Sequence, residues 1–395
     1  MENKLLQEAK TLSPWLKEIF FHLHQNPELG RQEYKTQAFV LAKLRAMGIE
    51  GQPIADTGVV ATIYGGKPGK TIAFRGDMDA LPIQEETDLP YRSQVPGVMH
   101  ACGHDLHTTV LLGLAKWFLS HKDEMQGNLK LLFQPNEEVD GGAQRMVQAG
   151  CMENPKVDGV FFGHCVTEPL GIITVREGAM SSASNPFSVT FRGKGTHGAQ
   201  PQNGTDAIVA ACQAVTALQT VCSRRTNPTD TVLLTVGAIH GGIPGNGSII
   251  PETVTIDGIL RTQSPQTRAR AKADVCQIIN GIAAAMDVKA EIDMKDGYTA
   301  SINNPAMTAL VRTAAGKILG SEHVLTNPPG MGAEDFGYFS EKAPGCYYRF
   351  GVGDPKAEKY YPLHNSKFQL DPEALVYGVA LYAQITEDFL KAETF

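Results

Sequence analysis

The chain has 395 residues, 42% of them hydrophobic and 19% charged, with a formal net charge of −7. Its length exceeds what one hydrophobic core ordinarily supports, so two domains are expected. The acidic balance, with no long basic run, argues against nucleic acid or an anionic membrane surface as the main partner, and no apolar run reaches the length of a membrane span.

Residues 3–25 carry leucines and aromatics at roughly helical spacing, which predicts one amphipathic helix ending before Pro27. No apolar signal core opens the chain, and the seven cysteines form no paired framework. A reducing, cytoplasmic setting is the expectation. His22 and His24 stand near the end of that helix, either as polar groups at a helix terminus or as part of a site. A second helix is expected over 32–48.

Short apolar strands are expected over 59–64 and 71–75. The second runs into Asp77-Met-Asp79. Carboxylates at the carboxyl end of a buried strand stand where open α/β sheets place functional groups. Asp79 is expected to orient a metal-binding histidine.

The stretch His100-Ala-Cys-Gly-His-Asp-Leu-His107 concentrates thiolate, imidazole and carboxylate, the donors that hold borderline transition metals. Read as an extended segment, it would point Cys102 and His104 to one side, with Gly103 allowing a close backbone approach. A helix is expected over 108–119. The strand expected over 128–133 delivers Glu137 and Glu138. Adjacent side chains on extended backbone diverge, so one glutamate can bind metal while its neighbour acts as a general base. A strand over 157–162 is expected to end just before His164. Cys102 with His104, Glu138 and His164 thus follow three successive strand–helix units as candidate ligands. Cys165 is read as a packed thiol.

Ser181–Pro186 reads as a linker. The order β-α-β-β-α-β over the following hundred residues, with Gly195-x-His197 and a Gly-rich loop at 241–246, predicts an inserted ferredoxin-like α+β domain. Boundaries are expected at 1–183 and 297–395 for a catalytic domain in two parts, and at 184–296 for the insert. Helices are expected over 305–319, from 332 onward and over 371–393, with a strand over 346–351. His364, in the loop before the last helix, supplies a further candidate ligand.

Together Asp77-Met-Asp79-Ala-Leu-Pro, His100-Ala-Cys-Gly-His-Asp, Gln134-Pro-x-Glu-Glu, Gly163-His164, Gly195-x-His197-Gly-Ala, Gly332-x-Glu-Asp-Phe and Leu363-His364 are similar to a family. They resemble the metallo-amidohydrolases of the aminoacylase and carboxypeptidase-type zinc peptidase superfamily. The branch is the one with hippurate hydrolases, plant auxin-conjugate hydrolases and bacterial N-acyl-amino-acid deacylases. The resemblance implies an α/β catalytic domain with a mixed central sheet flanked by helices, and a lid and dimerisation role for the insert. It implies two divalent ions per chain (manganese, zinc, nickel or cobalt) on Cys102, His104, Glu138, His164 and His364. Asp79 and Asp105 would stand behind these ligands. Glu137 would be the general base, His197 would reach the partner's active site in a homodimer, and Asn246 would bind the substrate's carboxyl end. The implied reaction is hydrolysis of the amide bond of N-acyl amino acids. The alternative is a dipeptidase or small-peptide carboxypeptidase with the same metal chemistry. The segment after His164, Cys165-Val-Thr-Glu-Pro169, departs from the pattern of this branch.

Overall fold

The structure is a computed structural model; it describes residues 3–326, 328, 330–354, 356–357 and 361–393. Residues 1, 2, 394 and 395, at the outer ends of the expected catalytic ranges, lie outside these. The chain divides into two compact units, one of 3–180, 301–328 and 335–393, the other of 181–300 and 330–334.

The larger unit is built on an eight-stranded mixed sheet. Its order is Gly51–Ile54, Gly58–Tyr64, Gln126–Gln134, Lys67–Asp77, Gly159–Pro169, Gly345–Gly353, Ile173–Thr174 and Val324–Leu325. The four strands from Gln126–Gln134 to Gly345–Gly353 run parallel. Each carries a short run of consecutive buried apolar residues, as in Ile72–Phe74, Leu131–Phe133 and Val160–Phe162, because both faces are covered there. One face packs Phe74, Leu131 and Phe161 beneath the helices Ser13–Gln25, His104–His121, Pro305–Leu319 and Ala374–Lys391. The other face buries Val160, Phe162 and Leu132 with Met146, Phe336 and Phe339. Each such fully buried side chain contributes about 1.5–3 kcal/mol.

The smaller unit has the chain order β-α-β-β-α-β. Its antiparallel sheet runs Val232–Gly241, Thr253–Thr262, Ala183–Arg192, Lys289–Met294. The helices Ala207–Thr220 and Pro265–Ala285 start where Asp206 and Ser264 cap their first amide groups. Ala210, Ala214, Leu218, Val275 and Ile279 form its core with Phe187, Phe191 and Leu260. This is the ferredoxin-like arrangement expected of the insert.

Four local expectations are corrected. The single helix over 3–25 is two, Lys4–Thr11 and Ser13–Gln25, because Pro14 has no amide hydrogen to continue the first. Residues 181–186 are not a linker, since the strand Ala183–Arg192 begins inside them and pairs on both sides. The helix expected from 332 is only Gly337–Ser340. The strand carrying His164 runs on to Pro169 in register with Gly345–Gly353, so His164 is inside it rather than beyond its end.

Candidate metal and catalytic site

The helix that was expected from 108 begins at His104, so the stretch around Cys102 is not extended. Gly103 precedes the helix in the left-handed conformation, at φ +77°. A Cβ there would stand 2.3 Å from Cys165 Sγ, so the turn requires glycine. This sharp turn, not strand alternation, brings Cys102 and His104 to the same place.

The parallel strands supply the rest. Cys102, His104 and His164 place their ligand atoms within 4.8 Å of one another, and so do Cys102, Glu138 and His364. Cys102 Sγ is 3.6 Å from His164 Nε2 and 3.3 Å from His364 Nε2. Glu138 Oε1 is 3.2 Å from His364 Nε2 and 3.8 Å from His104 Nε2. Glu137 shares a further cluster with His104 and Glu138. His364 adopts φ +65°, unusual for a side-chain-bearing residue, and its amide is held by the Ala101 carbonyl at 2.8 Å.

Carboxylates and carbonyls stand behind these groups. Asp79 Oδ1 lies 3.2 Å from His104 Nδ1, and Asp79 Oδ2 accepts the Glu138 amide at 2.9 Å. His164 Nδ1 donates to the Cys165 carbonyl at 2.6 Å, leaving Nε2 towards Cys102. His107 bonds Asp77 through Nδ1 at 2.6 Å and accepts the Cys165 amide on Nε2 at 2.9 Å, which pins the backbone beside His164. Asp77 is in turn 2.7 Å from the buried Arg75 guanidinium, which also bonds Gln134 and Asp335. Cys165 is buried and donates its thiol to the Cys102 carbonyl at 3.1 Å, as a packed thiol would.

The electrostatics and the donor set fit divalent ions. Burial holds the His164 and His107 imidazoles down to about 4, so both are neutral, and His164 keeps a lone pair to offer. Burial, reinforced by Glu138, pushes the Cys102 thiol well above its usual range, so a nearby cation is needed to make it a thiolate. Burial opposes charge on His104, but Asp77, Asp79 and Glu138 overcome it and lift the imidazole to about 10. His104 Nε2 is buried without a hydrogen-bond partner, with Asp77 Oδ2 at 3.5 Å and Glu138 Oε1 at 3.8 Å. An orphaned donor atom in so negative a field is what a cation would satisfy.

Of the other expected site residues, Asp105 turns away from the ligands. Its carboxylate bonds His24 Nδ1 at 2.7 Å, and His24 Nε2 is 3.3 Å from Glu85. His197 and Asn246 belong to the smaller unit and are exposed. There Thr196–His197 pairs with Ile249–Ile250, bringing the Asn246 loop alongside His197. His197 Nδ1 accepts the Ala199 amide at 3.0 Å, so its proton sits on Nε2, ready to be donated. The Asn246 side-chain oxygen accepts the Ser248 amide at 3.2 Å. Sequence reasoning assigned no role to Arg75, Asp77, Glu85 or His107. Asp77 and His107 lay in plain motifs, whereas nothing local marked Arg75 or Glu85.

The chain is similar to known proteins along most of its length. The profile of peptidase family M20/M25/M40 matches residues 73–388. An N-acetyl-L-cysteine deacetylase of Bacillus subtilis is 40% identical over 93% of this chain and 86% of its own length. A thermostable carboxypeptidase of Saccharolobus solfataricus is 37% identical over 98% of both chains. The crystal structure of a dinuclear metal-binding M20 peptidase from Bacillus subtilis superposes with a TM-score of 0.84. It is 30% identical and covers 97% of this chain and 99% of its own.

The His24–Asp105–Glu85 cluster makes a testable contribution to stability. Burial opposes charge on His24, but the bonds to Asp105 and Glu85 prevail and raise it to about 9. A folded-state value above the unfolded one stabilises fully below about pH 6.5, and the contribution is lost as pH rises through about 9. Denaturant unfolding at equal metal load is expected to show wild type losing roughly 3 kcal/mol more than His24→Asn between pH 6.5 and 9. Parallel pH profiles would show that the cluster carries no net charge coupling.

Proposed function

Because the chain belongs to peptidase family M20/M25/M40 and is a hydrolase, we propose that it cleaves the amide bond of N-acyl amino acids, releasing a free amino acid and a carboxylic acid. The observation that carries this reading is the sharing of Cys102 by two ligand sets, with Glu137 alongside. Cys102, His104 and His164 would hold one divalent ion, and Cys102, Glu138 and His364 the other. Thiolate favours zinc, nickel or cobalt, while the mixed nitrogen and oxygen donors also admit manganese. When bound, two such ions acidify the attacking water and polarise the amide carbonyl.

The chain's own residues do the rest. Glu137 takes the proton of the attacking water and returns it to the leaving amine nitrogen. Asp79 holds both His104 and the Glu138 amide, which keeps Glu137 in register with the ligands. His197 donates from Nε2 to the developing oxyanion, a role worth roughly 10²–10³ in rate. Asn246 receives the carboxyl end of the substrate.

We read the smaller unit as a lid and as the dimerisation element. Its edge strand Val232–Gly241 has one neighbour in the sheet, and Ile208, Val209, Ile239, Ile243 and Ile249 of the same unit are exposed. An unpaired edge beside exposed aliphatic side chains suits a second copy. A cytoplasmic setting suits the seven unpaired thiols. No helix among the described residues is long and apolar enough to cross a membrane.

The second reading, cleavage of dipeptides or of carboxyl-terminal residues of small peptides, has support in the Saccharolobus carboxypeptidase. Amine release from N-acyl amino acids and dipeptides, with and without chelator, separates the two. The proposal expects chelator-sensitive cleavage confined to N-acyl substrates; turnover mainly of dipeptides would replace it with the second reading. Glu137→Ala is expected to keep both ions and lose about 10²–10⁴ in kcat, while Glu138→Ala loses an ion. The opposite pattern in metal analysis would reverse the two glutamates. Mixing His197→Ala with Glu137→Ala chains is expected to restore activity that neither has alone, because each hybrid dimer regains one intact site. No recovery would place His197 in its own chain's site.

A further inference from the structure

The loop that carries Glu137 and Glu138 is tied down by three buried carboxylates. Asp335 holds both of its ends, accepting the Gln134 side-chain amide at 2.8 Å and the Ala143 backbone amide at 2.9 Å. Asp79 takes the Glu138 amide at 2.9 Å. The third tie comes from 103 positions away in the chain, where Glu33 Oε1 accepts the backbone amide of Asn136 at 2.7 Å. Glu33 Oε2 is held by the Thr57 hydroxyl at 2.6 Å.

Asn136 stands immediately before Glu137 and adopts φ +60°, a left-handed conformation that asparagine tolerates better than most residues. Asn136 and Glu33 are both buried, so without Glu33 this amide would lose its acceptor in the interior. The segment around Glu33 fits the loop closely. A Cβ on Gly30 would stand 2.5 Å from Asn136 Oδ1 and 3.3 Å from Asp79 Oδ2. Arg31 pairs with Asp140, which accepts from the Asn136 side chain.

Glu33 has no other evident task. It opens the helix Tyr34–Ala46, yet its side chain makes no capping bond there. Among the described residues no cation pairs with it. A buried carboxylate without a cation is costly, so what it holds accounts for its place better than what it adds to stability.

We propose that Glu33 is a positioning residue for the reaction, which by holding Asn136 in its left-handed turn keeps the Glu137 carboxylate where the attacking water must lose its proton. The inference rests on the reading of Glu137 as the general base. Glu138 keeps its own tie to Asp79, so loss of Glu33 is expected to impair proton transfer and spare metal binding. The role needs an acceptor oxygen rather than a charge. Glutamine supplies that oxygen, and the Thr57 hydroxyl can turn to accept from its NH₂ group.

The experiment is steady-state kinetics of wild type, Glu33→Ala, Glu33→Gln and Glu137→Ala on an N-acyl amino acid, with the metal content of each protein measured. Glu33→Ala is expected to lose about 10- to 100-fold in kcat, the scale of a small misplacement of a reacting group, with KM unchanged and both ions retained. Glu33→Gln should recover most of that loss. Should Glu33→Ala not fold, Thr57→Val carries the test, with kcat expected to fall about 3- to 10-fold at unchanged KM and metal content. An unchanged kcat in the variant that carries the test overturns the proposal. So does loss of an ion, or a loss in Glu33→Gln as large as in Glu33→Ala, which would make the charge the essential feature. If Glu137→Ala keeps full kcat, the general-base reading falls, and this inference with it.

Discussion

At Gly103 the chain turns through a left-handed conformation and enters a helix within one residue, with Cys165 Sγ occupying the space a side chain would need. That turn lets Cys102 stand in both candidate ligand sets while His104, two residues on, joins one of them. A buried thiol surrounded by carboxylates resists ionisation, and the His164 imidazole resists protonation at the same depth, whereas Asp77, Asp79 and Glu138 favour the protonated form of His104. A thiolate at Cys102 is therefore favoured only with a cation beside it. Folding of this corner and metal binding are linked through the same few atoms.

Behind the ligands the structure repeats one device, a buried acid that fixes the geometry of a neighbour. Asp79 holds His104 and the Glu138 amide, Asp77 holds His107, and Asp105 holds His24. Arg75 ties Asp77 to Asp335, a contact across 258 positions of sequence. Of these, Asp79 fixes which nitrogen of His104 faces the cluster, and ligand geometry depends on that choice.

The donor types and their order were legible in the sequence because metal chemistry restricts them to few residue types. The insert's element order was legible because its strands alternate and its helices carry capping Asp206 and Ser264. What escaped was set by distant contacts. The polar first turn His104–His107 hides helical periodicity, since its side chains face a buried polar site rather than an apolar core. His164 lies in a strand that continues only because Gly345–Gly353 runs beside it. An arginine at position 75 in an apolar strand gives no local sign that Asp77, Gln134 and Asp335 converge on it.

The central claim is that one thiolate serves two ions. X-ray absorption on the zinc-loaded protein tests it most directly. At two zinc ions per chain, the account predicts an average of one sulfur neighbour per zinc at about 2.3 Å, because Cys102 would contact both. An average of half a sulfur per zinc would confine Cys102 to one ion, and none would remove it from the site.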